Sequence, residues 1–194
     1  SLNYPASHPS SSDLQISIDE AVQRARSKPF VDTLVLSGGE PLLQPDACIR
    51  LLRLGKSLGL GTGIETSGIF PEHLQRLLAK GLVDRVFLDI KTAPEEPDYE
   101  IATGKGNNAA AVRSSLEICF KSGVSFEARS TLFPNMPSIS QMVKIAEMLG
   151  TLMSRYPQSS FSGMTLQQGH PQEGEEAFSP VSIEAMQEMA GACR

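Results

Sequence analysis

Two hydrophobic periods alternate along this chain. Short runs rich in β-branched and aromatic residues predict strands at Thr33–Leu36, Gly61–Glu65, Arg85–Asp89, Ser125–Thr131 and Ser162–Leu166. Between them, apolar residues at helical spacing predict helices at Pro45–Leu58, Pro71–Lys80, Ala109–Ser122, Ile139–Arg155 and Ser182–Met189, with a further helical stretch over Ile18–Ala25. Pro45 and Pro71 sit in first turns, where a missing N–H costs nothing, and Gly59, Gly81 and Gly123 follow helix ends. Strand–helix alternation of this kind predicts an α/β domain, its parallel sheet joined by right-handed crossovers. Five predicted strands are too few to close an eight-stranded barrel, so the sheet is open or lacks a strand. Residues before Leu14 supply no convincing strand, and Ser1–Asp13, rich in Ser and Pro, reads as an irregular lead into one domain spanning 1–194.

The strand ends carry the candidate chemistry. The apolar run Phe30–Leu36 reads as a buried parallel strand that breaks into Ser37-Gly38-Gly39-Glu40-Pro41. Paired glycines bring bare backbone groups up to a ligand, and Glu40 adds a carboxylate at the carboxyl end of a strand, where α/β proteins place their sites. By itself this is an ordinary strand-to-helix loop with an exposed glutamate. The second strand runs into Glu65, and on the third Asp89 and Lys91 share a face with Phe87. Glu127, Arg129 and Thr131 alternate on one side of the fourth, while the fifth leads into Gln167, Gln168 and His170. Polar groups converging on one mouth predict a site for a small molecule or ion. Simpler readings stand beside this one. Asp89 and Lys91 also suit a structural ion pair, His170 suits an exposed loop, and Gly104–Asn108 is better read as a surface loop than as an anion site.

Composition narrows the classes. A net charge of −5 with interspersed basic residues argues against a nucleic-acid groove. No apolar run reaches the roughly 20 residues of a membrane span, and no signal peptide opens the chain. Cys48, Cys119 and Cys193 lie far apart, which fits a reducing cytoplasm better than a disulfide framework. Cys48 and Cys119 read as small core residues and Cys193 as part of a loose end; none suggests a metal site. Nucleophile–base and phosphate-loop motifs are missing.

Ser37-Gly38-Gly39-Glu40-Pro41, Glu65-Thr66-Ser67-Gly68 and Leu88-Asp89-Ile90-Lys91, in that order, resemble the radical S-adenosylmethionine (SAM) superfamily. Within it the chain is most similar to activating proteins of glycyl-radical enzymes, above all those of anaerobic ribonucleoside-triphosphate reductase. Asp98–Gly104 and Phe126–Thr131 add to the likeness, which covers about residues 30–170. The resemblance implies a partial (β/α) TIM-like barrel. It implies that Gly38, Gly39 and Glu40 hold the methionyl ammonium group of S-adenosylmethionine, that Glu65 lines the cofactor or cation pocket, and that Asp89 and Lys91 contact the cofactor or the glycyl segment. Arg129 is implied to pair with the methionyl carboxylate, and His170 to contact the cofactor. The implied reaction is reductive cleavage of S-adenosylmethionine at a [4Fe–4S] cluster, after which the 5′-deoxyadenosyl radical takes hydrogen from a glycine of the partner. Flavodoxin or ferredoxin would supply the electron, and neither nucleic acid nor membrane would take part.

The family's Cys-x-x-x-Cys-x-x-Cys loop is missing ahead of the Gly-Gly-Glu strand. Ser1-Leu2-Asn3-Tyr4-Pro5 looks like the sequence that follows its last cysteine, with Ser1 at that cysteine's position. The resemblance thus implies a sheet lacking its first strand and cluster loop, in a chain inactive by itself: a trimmed piece of an activating enzyme or a relative without a cluster. Pyruvate formate-lyase activators, 7-carboxy-7-deazaguanine synthases and a non-catalytic binding module remain alternative readings. The Leu88–Lys91 strand speaks against the second of these.

Overall fold

Strict alternation along the fourth strand organises the molecule. Phe126, Ala128, Ser130 and Leu132 are buried, while Ser125, Glu127, Arg129 and Thr131 are half-exposed, so the strand separates an apolar side from a polar one. The computed structural model describes residues 20, 24, 30–104, 108–134, 136–170 and 178–193. Among these lies one five-stranded sheet: β1 (Thr33–Leu36), β2 (Gly61–Thr66), β3 (Arg85–Asp89), β4 (Ser125–Leu132) and β5 (Phe161–Gln168). Neighbours in sequence are neighbours in space and every pairing is parallel, with Gly63 beside Arg85 and Asp89 beside Arg129. Among the described residues the sheet is open, with β1 and β5 at its edges. Among the described residues, six helices follow the strands, two of them after β3: α1 (Pro45–Ser57), α2 (Pro71–Leu78), α3 (Asp98–Thr103), α4 (Asn108–Ser122), α5 (Ile139–Arg155) and α6 (Ile183–Ala192). The expected partial (β/α) barrel is the observed architecture. Readings placed on residues 1–19, on most of Ile18–Ala25 and on 105–107 lie outside the described residues.

Helical apolar stripes cover one face of the sheet. Leu52 of α1, Leu74 and Leu77 of α2, Leu116 and Phe120 of α4, and Met142 and Ile145 of α5 form one core with Ile64, Val86, Leu88 and Phe126. Phe120 meets Phe126 edge-on at 4.8 Å between ring centres, a favoured aromatic geometry. A capping box at Ser138 and Gln141 starts α5. Among the described residues, no helix is long and apolar enough to cross a membrane.

Three sequence expectations need correction. Phe30–Leu36 is not a buried strand: pairing begins at Thr33, Phe30 is 94% exposed, and Leu36 is the one buried residue of β1. The reason is position, since β1 is an edge strand with no neighbour on its outer side among the described residues. Second, α3 went unpredicted because six residues hold too little helical period to be seen. Third, Cys193 does not belong to a loose end, because it ends α6 and packs half-buried against the core.

The exits of β1 and β2 are tied by a single carboxylate. Glu40 Oε1 accepts hydrogen bonds from Leu42 N (3.1 Å) and Thr66 Oγ1 (2.7 Å). Its Oε2 accepts from Ser67 N (2.9 Å) and Ser67 Oγ (2.5 Å). The first of these bonds also caps the short 3-10 turn Pro41–Leu43. Next to this brace Gly68 has a φ of 77°, and a Cβ there would stand 2.8 Å from Leu88 Cδ1 and 3.2 Å from Ser115 Cβ. Glu40→Gln turns one acceptor into a donor facing donors, so urea denaturation should show a loss of about 1–3 kcal/mol. Gly68→Ala combines a left-handed backbone with a core clash, and the same assay should show about 2 kcal/mol or more lost.

Candidate functional site

The polar face opens at the carboxyl ends of β1, β2 and β3 into a cavity of about 290 Å³. Ser37, Gly38 and Gly39 come from the exit of β1, Glu65, Thr66 and Ser67 from β2, and Asp89 and Lys91 from β3. Parallel pairing brings the three exits side by side, and side-chain alternation points Glu65, Phe87 and Asp89 to the same face. Gly38 has a φ of 129° and open space where a Cβ would stand, so bare backbone forms this wall.

Charge runs in a continuous chain from the cavity across the sheet. Ser37 Oγ donates to Glu65 Oε2 at 2.6 Å, and Arg129 Nη1 donates to Glu65 Oε1 at 3.1 Å. Arg129 Nε donates to Glu127 Oε1 at 2.8 Å, and Arg85 Nη2 reaches the other Glu127 oxygen at 3.1 Å. Both guanidinium groups lie over the Phe87 ring, Arg129 at 3.9 Å from its centre and Arg85 at 5.2 Å. Burial pushes the Glu127 carboxyl up, but hydrogen bonds from Arg129 and Thr165 and the charges of Arg129 and Arg85 outweigh it. The net shift is below the usual 4.5.

Asp89 and Lys91 do pair, through Asp89 Oδ2 and Lys91 Nζ. Asp89 Oδ1 is buried and has no hydrogen-bond partner. Asp89, one of whose carboxylate oxygens lacks a donor, the Lys91 side chain and the open Gly38–Gly39 backbone therefore line one small cavity. Such a set matches a ligand carrying both an ammonium and a carboxylate group.

The structure brings together five of the eight residues expected at the site: Gly38, Gly39, Glu65, Asp89 and Lys91. Arg129 adjoins the cavity through Glu65 and does not line it. Glu40 lies behind the wall, with both carboxylate oxygens engaged by its own chain. His170 is exposed beyond β5 and is not part of the lining. Ser37, Thr66 and Ser67 were missed as individual residues, although their hydroxyls stand inside the two motifs at the strand exits. Arg85 was missed too, and its signal is period two: Arg85, Phe87 and Asp89 fall on one face of β3. A larger groove of about 510 Å³ runs between α4 and α5, but the strand-exit cavity holds the convergent polar groups.

The described cysteines do not suit an iron–sulfur cluster. Burial, and then the charge of Glu40, push the Cys48 thiol up to about 11, and its Sγ donates to Pro41 O at 3.1 Å. Burial pushes Cys119 up to about 12. Such thiols resist the deprotonation that ligation requires. Among the described residues, no group of three or more His, Cys, Asp or Glu side chains is placed to hold a metal ion.

Because the folded Glu127 carboxyl titrates below its usual value, the stability it contributes is complete above about 4.5 and fades as pH falls through the folded value. Glu127→Gln should therefore cost about 1–3 kcal/mol at neutral pH, and its gap from wild type should narrow in acid. Chemical denaturation at a series of pH values measures both.

Comparison with known proteins places this architecture. The Radical SAM superfamily model matches residues 6–149. A protein of Methanocaldococcus jannaschii, provisionally named a glycyl-radical enzyme activating enzyme, is 30% identical over 122 residues, or 61% of this chain and 50% of that one. The pyruvate formate-lyase-activating enzyme of Clostridium pasteurianum is 39% identical over 85 residues, 42% of this chain and 34% of that one. The chain thus spans half or less of the length of these curated relatives. In fold it is similar to a domain of pyruvate-formate lyase-activating enzyme from Bacteroides vulgatus ATCC 8482, with a TM-score of 0.64 at 15% identity, over 82% of this chain and 91% of that one. With most of its length matched by the family model and a polar cavity at its strand exits, this chain belongs to the radical SAM superfamily.

Proposed function

We propose that this chain is the S-adenosylmethionine-binding part of an enzyme that activates glycyl-radical enzymes. One observation carries the reading: Asp89, which has a buried carboxylate oxygen without a donor, lines the same cavity as Lys91 and the Gly38–Gly39 turn. A methionyl group is a zwitterion and needs both signs within a few ångströms. In this reading Asp89 and the backbone carbonyls of Gly38 and Gly39 receive its ammonium group, while Lys91 takes its carboxylate. Ser37, whose proton is directed at Glu65, presents its lone pairs to the cavity. Arg129 steadies Glu65, and reaches the methionyl carboxylate only by leaving it. Glu40 acts through the backbone, holding the glycine turn in place for the ligand. His170 takes no part.

A [4Fe–4S] cluster would supply the electron that cleaves S-adenosylmethionine held here by Asp89, Lys91 and the Gly38–Gly39 turn, giving the 5′-deoxyadenosyl group that would take hydrogen from a glycine. The described cysteines are not the residues to hold that cluster. We assign the glycine to a glycyl-radical enzyme, in line with the names of the relatives in Methanocaldococcus jannaschii and Clostridium pasteurianum. The runs Asp98–Gly104 and Phe126–Thr131 favour anaerobic ribonucleotide reductase as that partner, its glycine loop lying over the polar face of the sheet, with flavodoxin or ferredoxin as electron donor.

Isothermal titration of the full-length protein should show S-adenosylmethionine binding that Asp89→Asn weakens by about tenfold, the loss of one hydrogen bond to a charged group. Wild type with no affinity for S-adenosylmethionine sinks the reading. Under reducing, anaerobic conditions the full-length protein should raise a glycyl-radical electron paramagnetic resonance signal on anaerobic ribonucleotide reductase. A signal on pyruvate formate-lyase alone reassigns the partner, and binding without any signal identifies a binding module.

A further inference from the structure

A second tie between the strand exits runs opposite to the first. Glu40 reaches from the exit of β1 to the Ser67 amide beyond β2. His73, in the first turn of α2, reaches back: its Nδ1 lies 2.8 Å from the backbone oxygen of Leu42, 31 residues away. A carbonyl can only accept, so Nδ1 carries the proton and donates. Leu42 is fully buried, and a carbonyl without a donor is costly there. The Leu42 amide donates to Glu40 Oε1, so side chains hold both polar backbone groups of this residue. The imidazole is itself fixed. It is half-buried and stacks on Phe70, with 5.7 Å between ring centres and planes 18° apart, and Phe70 packs against the main core. One turn along the same face of α2, Arg76 Nη2 donates to Asp46 of α1 at 2.7 Å, but that pair is exposed and holds little.

We propose that His73 is a positioning residue of the cavity: its hydrogen bond to Leu42 O fixes the 3-10 turn Pro41–Leu43, and with it the Gly38–Gly39 wall just ahead of that turn. Gly38 holds a φ of 129° with open space where a Cβ would stand, so no contact of its own side chain sets its conformation. The restraint has to come from the residues that follow. A turn tied at Glu40 alone can still pivot about that point, whereas a second tie at Leu42 removes the pivot. The two ties run in opposite directions and close a loop through both strand exits. His73 is not part of the cavity lining and touches no ligand. Without its hydrogen bond, fewer molecules hold the wall in the binding geometry, and apparent affinity falls by that fraction. This rests on the proposed S-adenosylmethionine site for its ligand, but the restraint on the turn belongs to the chain itself and is testable without any ligand.

Two variants of the full-length protein separate the hydrogen bond from the packing. His73→Phe keeps a ring against Phe70 and removes the donor. His73→Asn removes the ring and keeps a donor the same number of bonds from the backbone, Nδ2 in place of Nδ1. Backbone amide exchange is the first arm. In His73→Phe the Leu42 and Ser67 amides, both held by Glu40, should exchange about fivefold faster than in wild type, a larger factor than for the amides of β4. In His73→Asn they should return close to the wild-type rate. Unchanged rates in His73→Phe, or one common factor for these amides and those of β4, overturn the proposal. Isothermal titration with S-adenosylmethionine is the second arm. His73→Phe should weaken binding about fivefold, while His73→Asn and Arg76→Ala should bind like wild type. An equal loss in the Phe and Asn variants, or no loss in His73→Phe, also overturns the role. Should His73→Phe fail to fold, weakened binding in His73→Asn overturns the role and wild-type binding supports it. A wild type that does not bind refutes the cofactor site alone, and the exchange rates then decide the role of His73.

Discussion

Four hydrogen bonds converge on the Glu40 carboxylate, and the site depends on them. A strand that ends in two glycines gains close backbone approach but loses definition, since neither residue restricts its own dihedral angles. Glu40 restores that definition from outside the turn. It takes a backbone and a hydroxyl donor at Ser67, the Thr66 hydroxyl, and the Leu42 amide, so the exits of two parallel strands are tied to each other. A charged acceptor is the strongest available for this purpose, because each bond is charge-assisted. The same carboxylate raises the pKa of Cys48 nearby, one reason why that thiol is inert.

From this brace the polar face extends as a graded series. At the exit of β3 one Asp89 oxygen is left without a donor. From Glu65 in the cavity wall outward, Glu65, Arg129, Glu127 and Arg85 satisfy one another, with Phe87 as an apolar platform under both guanidinium groups. Preorganisation of this kind keeps a binding surface from rearranging at each encounter.

How much of this was legible beforehand depended on whether the signal was local. Strand and helix periods are local, and β2 to β5 and the long helices emerged within a few residues of their true ends. The glycine turn and the acidic and basic residues at strand exits were visible because buried parallel strands rarely end in charge. The outward face of β1 was not legible: an apolar run reads the same in the middle of a sheet and at its edge, and only the neighbours decide. Glu40 was recognised as important but not as a brace, since its donors on the other strand exit, Thr66 and Ser67, lie 26 and 27 residues away. His73 could not be singled out either, because its acceptor at Leu42 lies 31 residues away.

The open sheet has a topological consequence. A closed barrel is entered only along its axis, so whatever reaches its interior must be small or have a free end. A trough can be entered sideways. Between β1 and β5 the described residues leave the polar face unroofed, and a hairpin of a folded protein, anchored at both of its stems, can be laid against it without being threaded.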